Sequence, residues 1–137
     1  MNASRFYPRI HDRETHSFFE ASAQGKLIFR ACNSCGRGLH PPTEYCRHCN
    51  SWDTAWREAS GTGRLYAWTT AVHPVHPGYP TPYTIVVVQL DDSPDVRLIG
   101  HIEGEPALSE GMKMEVWYET LEPGTVLPQW RPVEAAK

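Results

Sequence analysis

Four cysteines are the residues of this chain whose type and spacing most clearly specify a chemistry. Cys32, Cys35, Cys46 and Cys49 form two C-x2-C pairs separated by ten residues, and the chain has no other cysteine. Each pair can sit on a tight turn that directs both thiolates at one ion, and two such turns complete a tetrahedral shell of four sulfur ligands. The spacing predicts a zinc ribbon in which these four cysteines are the metal ligands.

A closed shell of four thiolates leaves no coordination position for a substrate, so we expect Zn²⁺ to be structural rather than catalytic. Gly36 and Asn50 follow the second and fourth cysteines, where a chain turning away from a metal often needs a positive φ. Two disulfides, a thiol redox pair and a rubredoxin-like iron site are the alternatives for the same residues. The chain does not open with the pattern of a secretory signal, which argues against the disulfides.

The rest of the chain offers little for catalysis. It lacks the nucleophile-elbow, phosphate-loop and dinucleotide-binding patterns. His73 and His76 stand three residues apart, but a proline follows each, which disfavours a helix that would present both rings to one metal. We therefore predict that the chain is not catalytic alone. The proline-rich loop is stiff, and it either contacts a ligand or partner protein or simply connects two strands.

The elements around the cysteines follow from local signals. Residues 12–23 predict a short helix with Asp12 as its N-cap, and Gly25 lies just past its end. Pro8 makes residues 6–10 an extended arm, which either packs on a partner or folds back on its own domain. Strands are predicted at 26–31, leading to Cys32, and after the metal loop up to about Ser60.

From residue 61 onward the pattern is that of a β-domain. Short runs rich in β-branched and aromatic residues are bounded by Gly, Pro and Asp, without a long helix between them. Such a series favours a small antiparallel barrel of the OB-fold type. The five predicted strands are 64–72, 83–90, 96–102, 112–118 and 127–130, with a turn or a single helical turn at 104–111.

Charge bears on the partner, because OB-folds and zinc ribbons both occur in nucleic-acid-binding proteins. Residues 26–64 carry six basic and three acidic side chains, whereas residues 65–137 carry four basic and ten acidic ones. An acidic barrel would repel a phosphate backbone, so single-stranded nucleic acid is the less favoured partner. The basic residues near the ribbon suit a phosphate-bearing ligand, an acidic partner or plain solvation. No apolar run is long enough to cross a bilayer, so we expect a soluble, cytoplasmic protein without membrane contact.

Several further motifs stand in register with the cysteines and make the chain resemble a known family. They are Phe18-Phe19, Gly25-Lys26-Leu27, Cys32-Asn33-Ser34-Cys35-Gly36, Pro41-Pro42, Cys46-Arg47-His48-Cys49, Ser60-Gly61-Thr62-Gly63, Pro82-Tyr83, Gly111 and Pro128-Gln129-Trp130-Arg131-Pro132. Over nearly its whole length the chain resembles the acyl-CoA-associated zinc-ribbon and OB-fold proteins known as domain-of-unknown-function family thirty-five.

The resemblance implies a mainly β fold: an N-terminal helix and a rubredoxin-like zinc ribbon, followed by a five-stranded OB-fold barrel. It also implies a non-catalytic accessory subunit that binds a thiolase-like enzyme or aldolase, in some cases with a hydratase, and helps hold an acyl-CoA thioester in lipid or steroid side-chain metabolism. The alternatives are a single-stranded nucleic-acid-binding module and an iron-dependent electron carrier. We expect the ribbon part to span residues 1–60 and the OB-fold with a short tail to span 61–137.

This chain departs from the family pattern in two places. The double proline is commonly followed by arginine, but here by Thr43, and the second knuckle has Arg47 and Asn50 where proline and glycine are usual. Metal ligation does not depend on these positions. A phosphate contact from position 43 would depend on the missing arginine. Only the four cysteines are therefore carried over from the family as site residues.

Overall fold

One helix and two antiparallel sheets form the part of the chain that this computed structural model describes, residues 5–134. The first sheet has three strands and the second has five, so the mainly β prediction is confirmed. The elements are α1 (His16–Ala23), β1 (Ile28–Cys32), β2 (Gly38–Leu39), β3 (Thr54–Glu58), β4 (Thr62–Ala71), β5 (Tyr83–Leu90), β6 (Arg97–Glu103), β7 (Lys113–Glu122) and β8 (Thr125–Pro132).

The helix begins later than its sequence predicts. Its N-cap is Thr15 rather than Asp12, and no side chain caps it. Asp12 instead accepts backbone hydrogen bonds from Thr15 and His16 through its main-chain oxygen, so it opens a turn ahead of the helix. The predicted end is confirmed: Gly25 has a φ of 72° and its N–H bonds back to the helix.

The three-stranded sheet has the order β2-β1-β3 and carries the cysteine loops at one end. β1 pairs along its whole length with β3, from Ile28 opposite Glu58 to Cys32 opposite Thr54. β2 has only two residues, which is too short to leave a pattern in the sequence, and it was not predicted. It exists because Gly38 and Leu39 pair with β1 and are both buried.

The five-stranded sheet has the order β6-β5-β4-β7-β8, and all five predicted strands are present. β5 shows how the strands of this sheet pack, because its residues alternate strictly between partly exposed and buried positions. Such alternation places one face of a strand in the core and the other toward a surface. β7 and β8 extend beyond the predicted runs, and β8 contains Pro128 and Pro132, which an edge strand tolerates.

The main apolar core of the described residues fills the barrel and includes side chains from the ribbon sheet. Trp130, Leu65 and Met114 are almost completely buried inside the barrel. Leu27, just before β1, and Phe29, within it, belong to the same cluster of buried side chains. The ribbon sheet therefore shares part of the barrel core, while Cys32, Leu39 and Cys46 form a small second cluster of buried residues. The proposed division between residues 60 and 61 stays a prediction.

The barrel closes where β6 meets β8, the two edge strands of the five-stranded sheet. A Cβ added at Gly100 would lie 3.2 Å from both the ring and the backbone nitrogen of Trp130, so the two strands come very close there. No residue larger than glycine fits without displacing its neighbours. No helix in the described part of the chain is both long and apolar enough to span a membrane.

Candidate metal centre and OB-fold cavity

The two C-x2-C pairs sit on turns of the same construction. In the first, the N–H of Gly36 donates to the carbonyl of Cys32, and the N–H of Cys32 donates to the carbonyl of Arg37. In the second turn, Asn50, Cys46 and Ser51 make the equivalent two bonds at 2.8 Å each. Gly36 and Asn50 both have positive φ values, 79° and 66°, as their positions predicted.

These turns bring the four thiols together. All four sulfur atoms lie within 4.8 Å of one another. Cys32 and Cys49 are 3.6 Å apart across the site, and Cys35 and Cys46 are 3.7 Å apart. Zn–S bonds of about 2.3 Å would place the sulfurs of a tetrahedral shell about 3.8 Å apart. The arrangement therefore fits a four-coordinate metal ion, with Cys32 and Cys46 buried and the other two thiols exposed.

The acid–base properties of the thiols also favour a cation among them. The backbone N–H of Cys35 lowers the pKa of Cys32 to about 6. For Cys49, a hydrogen bond from the backbone of Ser51 lowers the pKa, but desolvation and the neighbouring sulfurs outweigh it and raise the pKa to about 12. The thiolate of Cys32 thus forms readily, and its negative charge disfavours a second thiolate at Cys49. A divalent ion between the sulfurs would remove the repulsion between the two negative charges.

The ribbon is fastened to the barrel beside the first cysteine turn. The guanidinium of Arg37 donates to a carboxylate oxygen of Asp95 at 2.8 Å, and the N–H of Gly38 approaches the other oxygen at 3.3 Å. The Arg37 hydrogen bond is the main cause that lowers the pKa of Asp95. A Cβ at Gly38 would come within 2.4 Å of the Ser93 hydroxyl and 2.6 Å of Val96. The turn before β6 therefore packs directly against β2.

The basic side chains near the ribbon are largely engaged within the chain. They donate to Thr54, Asp95 or main-chain carbonyl groups, and the residues concerned are Arg30, Arg37, Arg47, Arg57 and Arg64. Trp52 is 74% exposed and packs on Tyr45, with 5.0 Å between ring centroids. Most of the basic side chains near the ribbon are therefore already engaged in hydrogen bonds within the chain.

A second feature is a cavity of about 400 Å³ on the outer face of β5 and β6. We call it the β5–β6 cavity. Tyr83 and Ile85 from β5 and Ile99 and His101 from β6 form one wall, and the proline-rich loop at 72–82 forms another. In OB-folds, this strand face and this loop are the usual ligand-binding surface.

The N-terminal arm folds back over this cavity, one of the two arrangements that the sequence allowed. One guanidinium nitrogen of Arg5 donates to both carboxylate oxygens of Glu119, at 3.0 and 2.9 Å. Phe6 packs on His76 with ring centroids 4.5 Å apart, and its N–H donates to the Tyr79 hydroxyl at 3.2 Å. These contacts position both the arm and the loop.

The two loop histidines do not form a metal site with a third residue. Within residues 5–134, the cysteine cluster is the one group of three or more side chains with ligand atoms close enough to hold an ion. His76 accepts a hydrogen bond from the Gly78 N–H at 2.9 Å and stacks with the aromatic residues of the cavity. Its role in the structure is to shape the loop.

The sequence indicates the proline-rich loop as a possible contact surface but not the cavity that it helps to form. Arg5, Tyr83, His101 and Gln129, which also line the cavity, lie far apart in the chain, and no sequence pattern joins them. If an OB-fold is assumed, every second residue of its second and third strands lies on the face that usually binds ligands. This pattern identifies Tyr83 and His101. Nothing in the sequence indicates that Arg5 and Gln129 join them.

Fold and thiol cluster together define a protein with a zinc ribbon and an OB-fold. Residues 19–54 match the family described as "ChsH2, rubredoxin-like zinc ribbon domain", and residues 56–119 match "ChsH2, C-terminal OB-fold domain". A solved structure described as "Ltp2-ChsH2(DUF35) aldolase" is 32% identical, with a TM-score of 0.79 over 91% of this chain and 98% of that one. The chain belongs to the ChsH2 family, also called DUF35.

Two further relatives have been found. The "Probable enoyl-CoA hydratase alpha subunit" of Thermomonospora curvata is 34% identical over 132 residues, which are 95% of this chain but 40% of that protein. The chain thus spans well under half of this curated relative. A DUF35 protein of unknown function from Sulfolobus solfataricus is 21% identical and has a TM-score of 0.58 over 74% of this chain and 75% of that one, which supports the fold alone.

Proposed function

We propose that this protein is a non-catalytic accessory subunit that binds a thiolase-like enzyme or aldolase and helps hold an acyl-CoA thioester. The observation that carries the proposal is the likeness to the chain described as "Ltp2-ChsH2(DUF35) aldolase", which extends over 98% of that chain. A likeness of this extent includes both the ribbon and the barrel, so it supports a shared role in an enzyme complex. The catalytic residues would belong to the partner.

The metal centre has a structural role in this proposal. Zn²⁺ would be held by Cys32, Cys35, Cys46 and Cys49, whose sulfur separations match a tetrahedral shell. Zinc supplies a cross-link between two chain segments, and with four thiolate ligands it has no open position for a substrate. The residues from 33 to 53 contain only one short strand, so the metal would provide much of their folding free energy.

Exposed apolar side chains support a docking role. Trp52 is 74% exposed, Val75 is 80% exposed and Ile99 is 68% exposed. A single exposed residue of this kind is ordinary, but Val75 and Ile99 both line the β5–β6 cavity, where they form part of one apolar surface. Contact with a partner or a ligand would remove this surface from water.

A hydratase is a further candidate component of the complex. The relative from Thermomonospora curvata carries the name of a hydratase subunit, and the present chain aligns with 40% of it. The remainder of that protein is long enough to hold another domain. We propose that the region shared with this chain serves in it as the accessory part, and that a hydratase domain is a neighbour of such chains in metabolism of acyl-CoA compounds.

The test is a pull-down of tagged protein from its own cell extract, with and without an added CoA thioester, followed by identification of what co-purifies. We expect a thiolase-like or aldolase protein in a stoichiometric amount. Nuclease-treated extract is the control for partners bridged by nucleic acid. Recovery of oligonucleotides in place of an enzyme would overturn the accessory role and favour the nucleic-acid-binding alternative.

A further inference from the structure

The β5–β6 cavity has the size and the lining of a small-molecule site. Its volume of about 400 Å³ falls in the range of ligand pockets, roughly 300 to 1,000 Å³. Four rings follow one another along it: His76 to Tyr79 at 5.7 Å, Tyr79 to Tyr83 at 6.1 Å, and Tyr83 to His101 at 5.1 Å between centroids. Walls of this type favour a flat or ring-shaped ligand.

The loop that carries two of these rings is held in place before any ligand arrives. The N–H of Tyr79 donates to the carbonyl of His76 at 3.0 Å, and the carbonyl of Gly78 accepts from Arg5 at 3.4 Å. Four prolines between residues 72 and 82 restrict the backbone further. A site of this kind loses little conformational entropy when it binds a ligand.

The charges of the cavity favour an uncharged ligand. Arg5 and Glu119 are the lining residues that carry a full charge, and they neutralise each other in a part-buried ion pair. The same guanidinium lies 3.7 Å from the exposed carboxylate of Glu103, so it is not free to bind a phosphate. The nucleotide end of CoA carries several phosphate charges close to its adenine, and these two carboxylates would repel it.

His101 contributes to the aromatic wall by packing rather than by a hydrogen bond. Its Nε2 atom is buried, with no hydrogen-bond partner among the described residues, so a ligand that occupies the cavity does not reach it. The ligand would instead pack against the part of the imidazole ring that lines the cavity. The ring itself stays in place because it packs against both Tyr79 and Tyr83.

We propose that the β5–β6 cavity binds an uncharged, ring-bearing acyl group through the aromatic wall and His101, and excludes the nucleotide part of the thioester. The proposal rests on the function proposed above, because that function supplies the acyl-CoA. It assigns to this chain a role in selecting the acyl group. The partner enzyme would have to provide the contacts to the CoA phosphates.

The experiment follows backbone amide signals of the zinc-loaded chain by NMR during titration with three probes. These are 1-indanone, phenylacetyl-CoA and CoA itself. We expect 1-indanone and phenylacetyl-CoA to shift the same signals, those of Tyr79, Tyr83, Ile99 and His101, and CoA to leave them unchanged. Shifts of these signals by CoA alone would overturn the proposal, and so would the absence of shifts with both ring-bearing probes.

Two exposed valines of one region provide a matched pair of variants. Val75 is 80% exposed and lines the cavity, whereas Val72 is 74% exposed and does not. A carboxylate at the mouth disfavours an apolar ligand, so Val75→Asp should weaken 1-indanone binding about tenfold or more, and Val72→Asp should leave it within about twofold. Equal effects of the two variants would contradict the site. Enzyme capture in the pull-down is a separate readout, so failure of the ligand site and failure of the accessory role are distinguishable.

Discussion

The side-chain oxygen of Gln129 accepts a hydrogen bond from the backbone N–H of His101 at 2.8 Å, and this bond joins β8 to β6. These strands are the two edges of the five-stranded sheet. The amide nitrogen of Gln129 approaches Glu119 at 3.4 Å, and Glu119 in turn pairs with Arg5. A continuous polar connection therefore runs from the closure of the barrel to the N-terminal arm.

Replacement of Gln129 by leucine should destabilise the protein, because Gln129 is only 7% exposed and the His101 N–H would lose its acceptor. A buried donor without a partner costs about 1 to 3 kcal/mol. We expect the free energy of unfolding in urea to fall by about that amount, and the His101 amide to exchange its proton faster. Gln24→Leu, at an exposed position after α1, is the control and should have little effect. An unchanged exchange rate at His101 would contradict the assigned bond.

Loss of one thiol should remove the metal and unfold the ribbon. Cys46→Ser changes a buried member of the cluster, and we expect its zinc content to fall from about one ion per chain to nearly none. Because such sites contribute roughly 10 kcal/mol or more to the folding of small zinc domains, the melting temperature should fall steeply. Elemental analysis and thermal melts measure the two effects. Ser34→Ala, between the first two cysteines, should keep the metal, and equal zinc loss in both variants would contradict the ligand assignment.

Asp95 should contribute to the docking of the ribbon on the barrel. Asp95→Ala removes the acceptor of both Arg37 and the Gly38 N–H. Since Arg37 is 52% exposed, solvent weakens the ion pair, and we expect a loss of about 0.5 to 1.5 kcal/mol in the free energy of unfolding. Glu105→Ala, at an exposed residue, is the matched control. A loss of the same size in both variants would show that the Asp95 contacts contribute nothing specific.

The stability of the protein should decrease as the pH falls below about 6.5, and His101 should account for part of this. Burial is the main cause that lowers the pKa of His101; the charge of Arg5 lowers it further, while Glu119 and Glu103 oppose the shift. The folded state therefore binds fewer protons than the unfolded state in that range, and its stability is complete only above the unfolded pKa.

The variant that checks this is His101→Gln, which cannot take up a proton. Tyr79 and Tyr83 pack on the His101 ring. We expect a smaller decrease in melting temperature between about pH 7.5 and about pH 5.5 for the variant than for the native chain, with zinc in excess in both samples. An identical decrease would mean that His101 does not contribute to the pH dependence.

The features that the sequence predicted are those that depend on local patterns. The metal-ligand spacing of the cysteines, the positive φ at Gly36 and Asn50, and the strand at 83–90 follow from neighbouring residues. The helix start was wrong, because Asp12 and Thr15 are both good N-cap residues and local preference alone does not choose between them.

The features that the sequence did not predict depend on contacts between distant residues. β2 consists of two residues that gain their stability from β1 and from packing at Ser93 and Val96. The β5–β6 cavity needs Arg5 to meet Glu119, which is 114 residues away in the chain. Side-chain contacts across such distances are set by the assembled barrel.

We propose that this protein assists an enzyme of the thiolase or aldolase type and does not itself catalyse a reaction. The most direct measurement compares turnover of an acyl-CoA by the captured enzyme alone, by this protein alone, and by the two together at equal concentration. We expect no turnover by this protein alone and a large gain when it joins the enzyme in a complex that can be isolated. Turnover by this protein alone, or an enzyme whose rate and stability are unchanged by it, would show that the protein is not an accessory subunit.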